Sequence, residues 1–77
     1  MGRKYSDLKA AYKAAQHFAN HSRSQYSVLA TEDGHFVVED RHSAILLERQ
    51  DPKYYFLLRH FRRSKWYSFR MRFLFFI

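Results

Sequence analysis

The chain has no cysteine, so neither a disulfide framework nor a thiolate zinc site is open to it, and the composition fits a reducing compartment. Its two glycines, at positions 2 and 34, exclude a glycine-rich loop of the kind that cradles phosphates. No stretch approaches the ~20 apolar residues that a membrane-spanning helix requires. No uninterrupted apolar run is longer than the terminal 73–77. Behind Met1-Gly2-Arg3-Lys4 there is no apolar stretch such as a secretory signal carries, and the expectation is a cytoplasmic protein.

Acidic residues are scarce where they would matter most. Residues 1–50 carry seven Lys and Arg against six acids, whereas residues 51–77 carry seven against Asp51 alone, so most of the formal charge of +7 lies in the last third. A positive field concentrated in this way draws polyanions toward it, whether nucleic acid, an anionic membrane or an acidic protein surface. At 77 residues the chain is expected to form one domain, 1–77, and a domain of that size is marginal without a dense core. Aromatic residues, at 19%, compensate, since each buried ring removes ~150–250 Å² from water.

The most regular pattern is at the carboxyl end. Tyr67, Phe69, Met71, Phe73, Phe75 and Ile77 fall on one parity and Ser68, Arg70 and Arg72 on the other, the alternation of a half-buried strand. Residues 53–61 are equally aromatic, and Arg62-Arg63-Ser64-Lys65 separates the two segments. This predicts a hairpin with Phe61 opposite Trp66. Its inner face would hold Tyr54, Phe56, Leu58 and His60 with their apolar partners. Its outer face would collect Tyr55, Leu57, Arg59, Phe61, Trp66, Ser68, Arg70 and Arg72.

Earlier in the chain, Ser6 is expected to cap a helix with Asp7 in its first position. Leu8, Tyr12, Ala15, Phe18 and Ala19 form its apolar stripe, and it should end near Asn20 or His21 and pack on the sheet. Lys9, Lys13, Gln16 and Asn20 occupy much of the remaining surface. A strand over 25–31 follows, then the hairpin signal Glu32-Asp33-Gly34. Of two registers, a type I turn with Gly34 in a bulge is preferred because it aligns Tyr26, Val28, Ala30, Phe36 and Val38 on one face. Residues 43–49 contain Ala44-Ile45-Leu46-Leu47, too short for periodicity to decide. A strand is favoured there, with a helix begun by Asp40 as the rival, and Asp51-Pro52 breaks either. The expected fold is α+β: one N-terminal helix packed on a small antiparallel meander of four to five strands.

The outer face of the last hairpin is the strongest functional candidate. Tyr55, Phe61 and Trp66 would offer rings on which bases stack, and Arg59, Arg62, Arg63, Lys65, Arg70 and Arg72 would meet phosphates. The expectation is a small non-enzymatic basic protein that binds nucleic acid, single-stranded in preference, or an acidic protein surface. The plainer alternative is a solvated arginine face that keeps an exposed strand from aggregating. No recognised RNA-binding core or zinc-finger spacing supports the reading, which rests on composition and geometry.

A reading from another class starts at the apolar 73–77 segment. A small viral or mobile-element type of protein could use it to bind and inhibit a larger host protein; an edge-to-edge homodimer is another way to cover it, and contact with an anionic membrane surface is a third, lesser option. His17 and His21 share one side of the helix, but two ligands do not make a metal site, and neither metal nor cofactor is expected. Glu32-Asp33 and Glu39-Asp40 read as turn chemistry and solvation. Ser, His and Asp occur without a nucleophile elbow around them, so no catalytic residue is assigned.

Overall fold

The computed structural model describes residues 3–22 and 24–64. Six elements follow in order: β1 Arg3–Tyr5, α1 Leu8–His21, β2 Tyr26–Thr31, β3 Phe36–Asp40, α2 Arg41–Gln50 and β4 Tyr55–Phe61. The strands form a single antiparallel sheet in the order β1-β3-β2-β4. The fold is α+β, as expected, with α1 lying on the sheet.

The start of α1 is set by Asp7, whose backbone is extended and whose Oδ2 accepts the Ala10 N–H at 3.1 Å. That places the cap one residue later than Ser6, because the carboxylate three positions before Ala10 meets the third amide of the first turn. The helix buries a narrow line of small residues, Ala11, Ala15 and Ala19, against Val28, Val38 and Phe61. Alanine lets the helix axis approach the strands closely, so the larger Tyr12, Phe18, Tyr26, Phe36 and Tyr5 close around the contact from the sides. Leu8, read as part of the stripe, stays 37% exposed.

The turn between β2 and β3 follows the predicted form. Gly34 takes a φ of 85°, a left-handed conformation that disfavours a Cβ. Its N–H donates to the Thr31 carbonyl at 3.1 Å, and the Thr31 N–H donates to the His35 carbonyl at 2.8 Å. The bulge shifts the ladder so that Val28 pairs with Val38 and Ala30 with Phe36. Val28 and Leu29 are both fully buried, and burial of each side chain stabilises the fold by ~1.5–3 kcal/mol.

Residues 43–49 are helical, which corrects the expected strand. Asp40 caps α2 by accepting the Ser43 N–H at 3.3 Å, and this local bond outweighs the strand preference of Ile45. Ala44, fully buried on α2, belongs with Leu29 and Val37, a cross-strand pair of opposite parity to the residues that meet α1. The sheet therefore lies between the two helices. At the far end the Asp51 N–H donates to the Leu47 carbonyl at 3.0 Å, and the Tyr54 and Tyr55 amides turn back onto the Asp51 carbonyl. With α2 interposed, the chain does not return beside β3 as a simple meander would. It crosses to the other side of β2, where β4 pairs.

Strand β4 contains the second irregularity. Val28 pairs with Arg59 but Leu29 pairs with Leu57, so Leu58 is an extra residue and the parity of the strand inverts there. Phe56, Arg59 and Phe61 consequently share the α1 face, while Tyr55, Leu57 and His60 share the α2 face. The continuous outer face predicted for Tyr55, Leu57, Arg59 and Phe61 does not exist. The Glu48 carboxylate ties α2 to the bulge by accepting the Leu57 N–H at 2.6 Å.

Candidate nucleic-acid interface

The predicted site residues separate into three groups. Lys65, Trp66, Arg70 and Arg72 lie outside the described residues, as does the strand expected over 66–77 with the apolar 73–77 on which the inhibitor and homodimer readings depend. Tyr55 sits on the α2 face, its ring 4.8 Å from that of Tyr54 in an edge-on arrangement, away from the arginines. Arg59, Phe61, Arg62 and Arg63 come together beside α1.

Within that third group the roles differ from those expected. Phe61 is 7% exposed and packs edge-on against Tyr12 with ring centroids 5.2 Å apart. A ring so covered has no free face for a base, which corrects its assignment as a stacking platform. The exposed side chain at this place is Arg59. Its guanidinium lies 4.9 Å from the Phe61 ring centroid and 5.8 Å from that of Tyr12. Resting a cation on two rings fixes its position and leaves its donors directed outward.

The polar segment after β4 is fastened to the second half of α1. Gln16 Nε2 donates to the Arg62 carbonyl at 2.8 Å and to Asn20 Oδ1 at 3.0 Å, and Asn20 Oδ1 in turn accepts the Ser64 N–H at 2.9 Å. The bonds to the Arg62 carbonyl and the Ser64 N–H hold main-chain atoms, so the Arg62 side chain is positioned without being used in the attachment. Arg63 also reaches the Ser22 carbonyl at 3.4 Å.

The same bonds orient a stripe of α1. Positions 9, 13, 16 and 20 recur at helical spacing and occupy one flank. Because Gln16 and Asn20 on that flank touch the 62–64 segment, Lys9 and Lys13 continue it alongside β4, and both are exposed. Five cations, Lys9, Lys13, Arg59, Arg62 and Arg63, thus line the seam between α1 and β4. Among the described residues no carboxylate pairs with Lys9, Lys13, Arg59 or Arg62. The lysines were absent from the predicted site, although their spacing with Gln16 and Asn20 was visible in the sequence.

At the end of this seam lies an open recess of about 400 Å³ lined by Ala19, Ser22, Ser24, Gln25, Arg62 and Arg63. Ser22 Oγ accepts the Ser24 N–H at 3.0 Å, which shapes the turn after α1. Gln25 Oε1 accepts from Arg41 Nη1 at 3.1 Å on the other side.

The remaining polar clusters are structural in form. Asp33 Oδ2 accepts from Tyr54 at 3.0 Å and from Lys4 at 3.3 Å, while Oδ1 accepts from the Thr31 hydroxyl and lies 3.3 Å from His35 Nδ1. The Thr31 hydroxyl first, then Tyr54, Lys4 and His35, hold the Asp33 carboxyl well below the usual carboxylate range against a smaller opposing effect of burial. Ser27 Oγ lies 2.5 Å from His60 Nδ1, but Ser27 is fully buried and beyond the reach of a substrate. The His17 and His21 rings lie 4.5 Å apart, and among the described residues no three His, Asp or Glu side chains converge as metal ligands. No helix among the described residues is long and apolar enough to cross a membrane.

Fold and site together define a small α+β domain with a cationic seam where its first helix meets an edge region of its sheet. No protein-family model matches the chain, and no characterised protein or solved structure matches it significantly.

Proposed function

We propose that this is a non-enzymatic protein that binds nucleic acid through the seam between α1 and β4, chiefly by contacts to phosphates. The observation that carries the reading is the grouping of Lys9, Lys13, Arg59, Arg62 and Arg63 on one flank, with Arg59 held on two rings and the 62–64 backbone fastened to Gln16 and Asn20. A cation already fixed in place loses less entropy when it meets a phosphate, and exchange of condensed counterions supplies the driving force. The burial of Phe61 moves the emphasis from base stacking to backbone contacts, which carry little sequence information.

The test is fluorescence anisotropy with labelled single- and double-stranded oligonucleotides of one sequence over a range of salt. Five phosphate contacts predict a loss of roughly 100- to 500-fold in affinity between 50 and 200 mM salt. Arg62→Glu with Arg63→Glu should weaken binding at least tenfold at about 100 mM salt, with thermal unfolding little changed because both side chains are exposed. Affinity indifferent both to salt and to the double substitution would remove the proposal.

A further inference from the structure

The recess at the end of the cationic seam has a chemistry of its own. Among the described residues its lining is two guanidinium groups, two serines, a glutamine carboxamide and the apolar Ala19, with no carboxylate. A nucleobase needs a flat apolar wall or a ring to stack on, and among the described residues the lining has neither. A phosphate needs forked donors and hydroxyls, and the lining supplies both. At about 400 Å³ the space is larger than a lone phosphate requires and has room for an attached sugar.

Charge narrows the ligand further. An internal phosphodiester carries a single negative charge, whereas a terminal phosphomonoester carries about −1.5 to −2 near neutral pH. Paired arginines beside the recess, at the end of a row of single cations, suit the second better. Lys9, Lys13 and Arg59 then continue from the recess along the seam, in line with a chain of diesters leading away from one terminal group. The glutamine and asparagine that bond the Arg62 carbonyl and the Ser64 N–H hold the backbone that carries Arg62 and Arg63 beside the recess.

We infer that this recess binds the terminal phosphate of a nucleic-acid strand, so that the protein engages strand ends in preference to interior sequence. The inference rests on the nucleic-acid reading of the seam and names the part of the ligand the recess takes. The experiment is isothermal titration of the intact protein with unlabelled oligonucleotides of one sequence ending in a 5′-phosphate, a 3′-phosphate or hydroxyls alone, with inorganic phosphate as a competitor. One phosphorylated form should bind about tenfold more tightly than the hydroxyl form, and millimolar inorganic phosphate should erase that advantage. Arg62→Ala should abolish the difference between the ends while lowering affinity for the hydroxyl form only a few fold. Equal affinity for all three oligonucleotides, or an advantage that survives Arg62→Ala, overturns the end site and leaves the seam reading standing. Failure of every oligonucleotide to bind removes both.

Discussion

Asp33 joins three parts of the chain from an exposed turn. Its carboxylate receives Lys4 from β1, Thr31 and His35 from the turn itself, and Tyr54 from the connection into β4. Its pKa is depressed, so its contribution to stability is complete above the unfolded value of 3.8 and is lost as pH falls from there through the lower folded value. Lys4 is shifted the other way by the same partner, so its share is present below 10.5 and disappears as pH rises through its raised value. Asp33→Asn should therefore lower the melting temperature at neutral pH. The gap from the parent should shrink steadily in acid below about pH 4, and a melting-temperature series from pH 2 to 8 checks it. Because the cluster faces solvent, added salt should narrow the same gap.

At the scale of elements, close approach between α1 and the sheet is the feature most sensitive to side-chain volume. Ala15 is fully buried at that contact, and Ala15→Leu should destabilise the protein by ~1–3 kcal/mol through overpacking, read as a lower urea midpoint. Ala10→Leu, away from the buried line, should change it by no more than ~0.5 kcal/mol.

The elements also show how far a one-dimensional reading carries. The span of α1 and the register of the first hairpin were legible because each rests on a local signal: periodic alanines and rings in one case, and the φ demanded of Gly34 in the other. Helix α2 was less legible, although its Asp40 cap was visible, since Ala44-Ile45-Leu46-Leu47 suits either state and the capping bond acts together with burial of Ala44 against the sheet. Strand β1 has three residues and no periodicity, and it exists because β3 offers an open edge. The extra residue at Leu58 was illegible for a stronger reason. A bulge is a property of two strands in register, so β4 read alone placed Phe61 outside when pairing with β2 places it inside. The described arginines that the sequence grouped lie together in the fold, and of the rings it grouped with them Tyr55 does not. Arg59, Arg62 and Arg63 stand where a polyanion could meet them, whereas Phe61 serves the core and Tyr55 faces the opposite helix.

On the scale of the whole molecule, five of the cations among the described residues, Lys9, Lys13, Arg59, Arg62 and Arg63, follow one line. If Lys9 and Lys13 belong to the same line as the arginines, Lys9→Gln with Lys13→Gln should reduce the slope of log affinity against log salt by about 1.4–1.8, two contacts' worth. Thermal stability should be unaffected, because both lysines are exposed on α1. A slope unchanged by the pair would confine the interface to β4 and the segment after it.

The order of strands in the sheet bears on how the protein assembles. The ribbon made by β2 and β3 closes across a short turn, so its contacts can form early and at little entropic cost. Its other neighbour, β4, must wait until α2 and both of its connections have been traversed. Phe61 completes the hydrophobic contact under α1 only at that late step, and the same docking event brings Arg59, Arg62 and Arg63 into place. Completion of the core and the grouping of these arginines thereby depend on the same docking of β4, and a chain in which β4 is undocked would lack both.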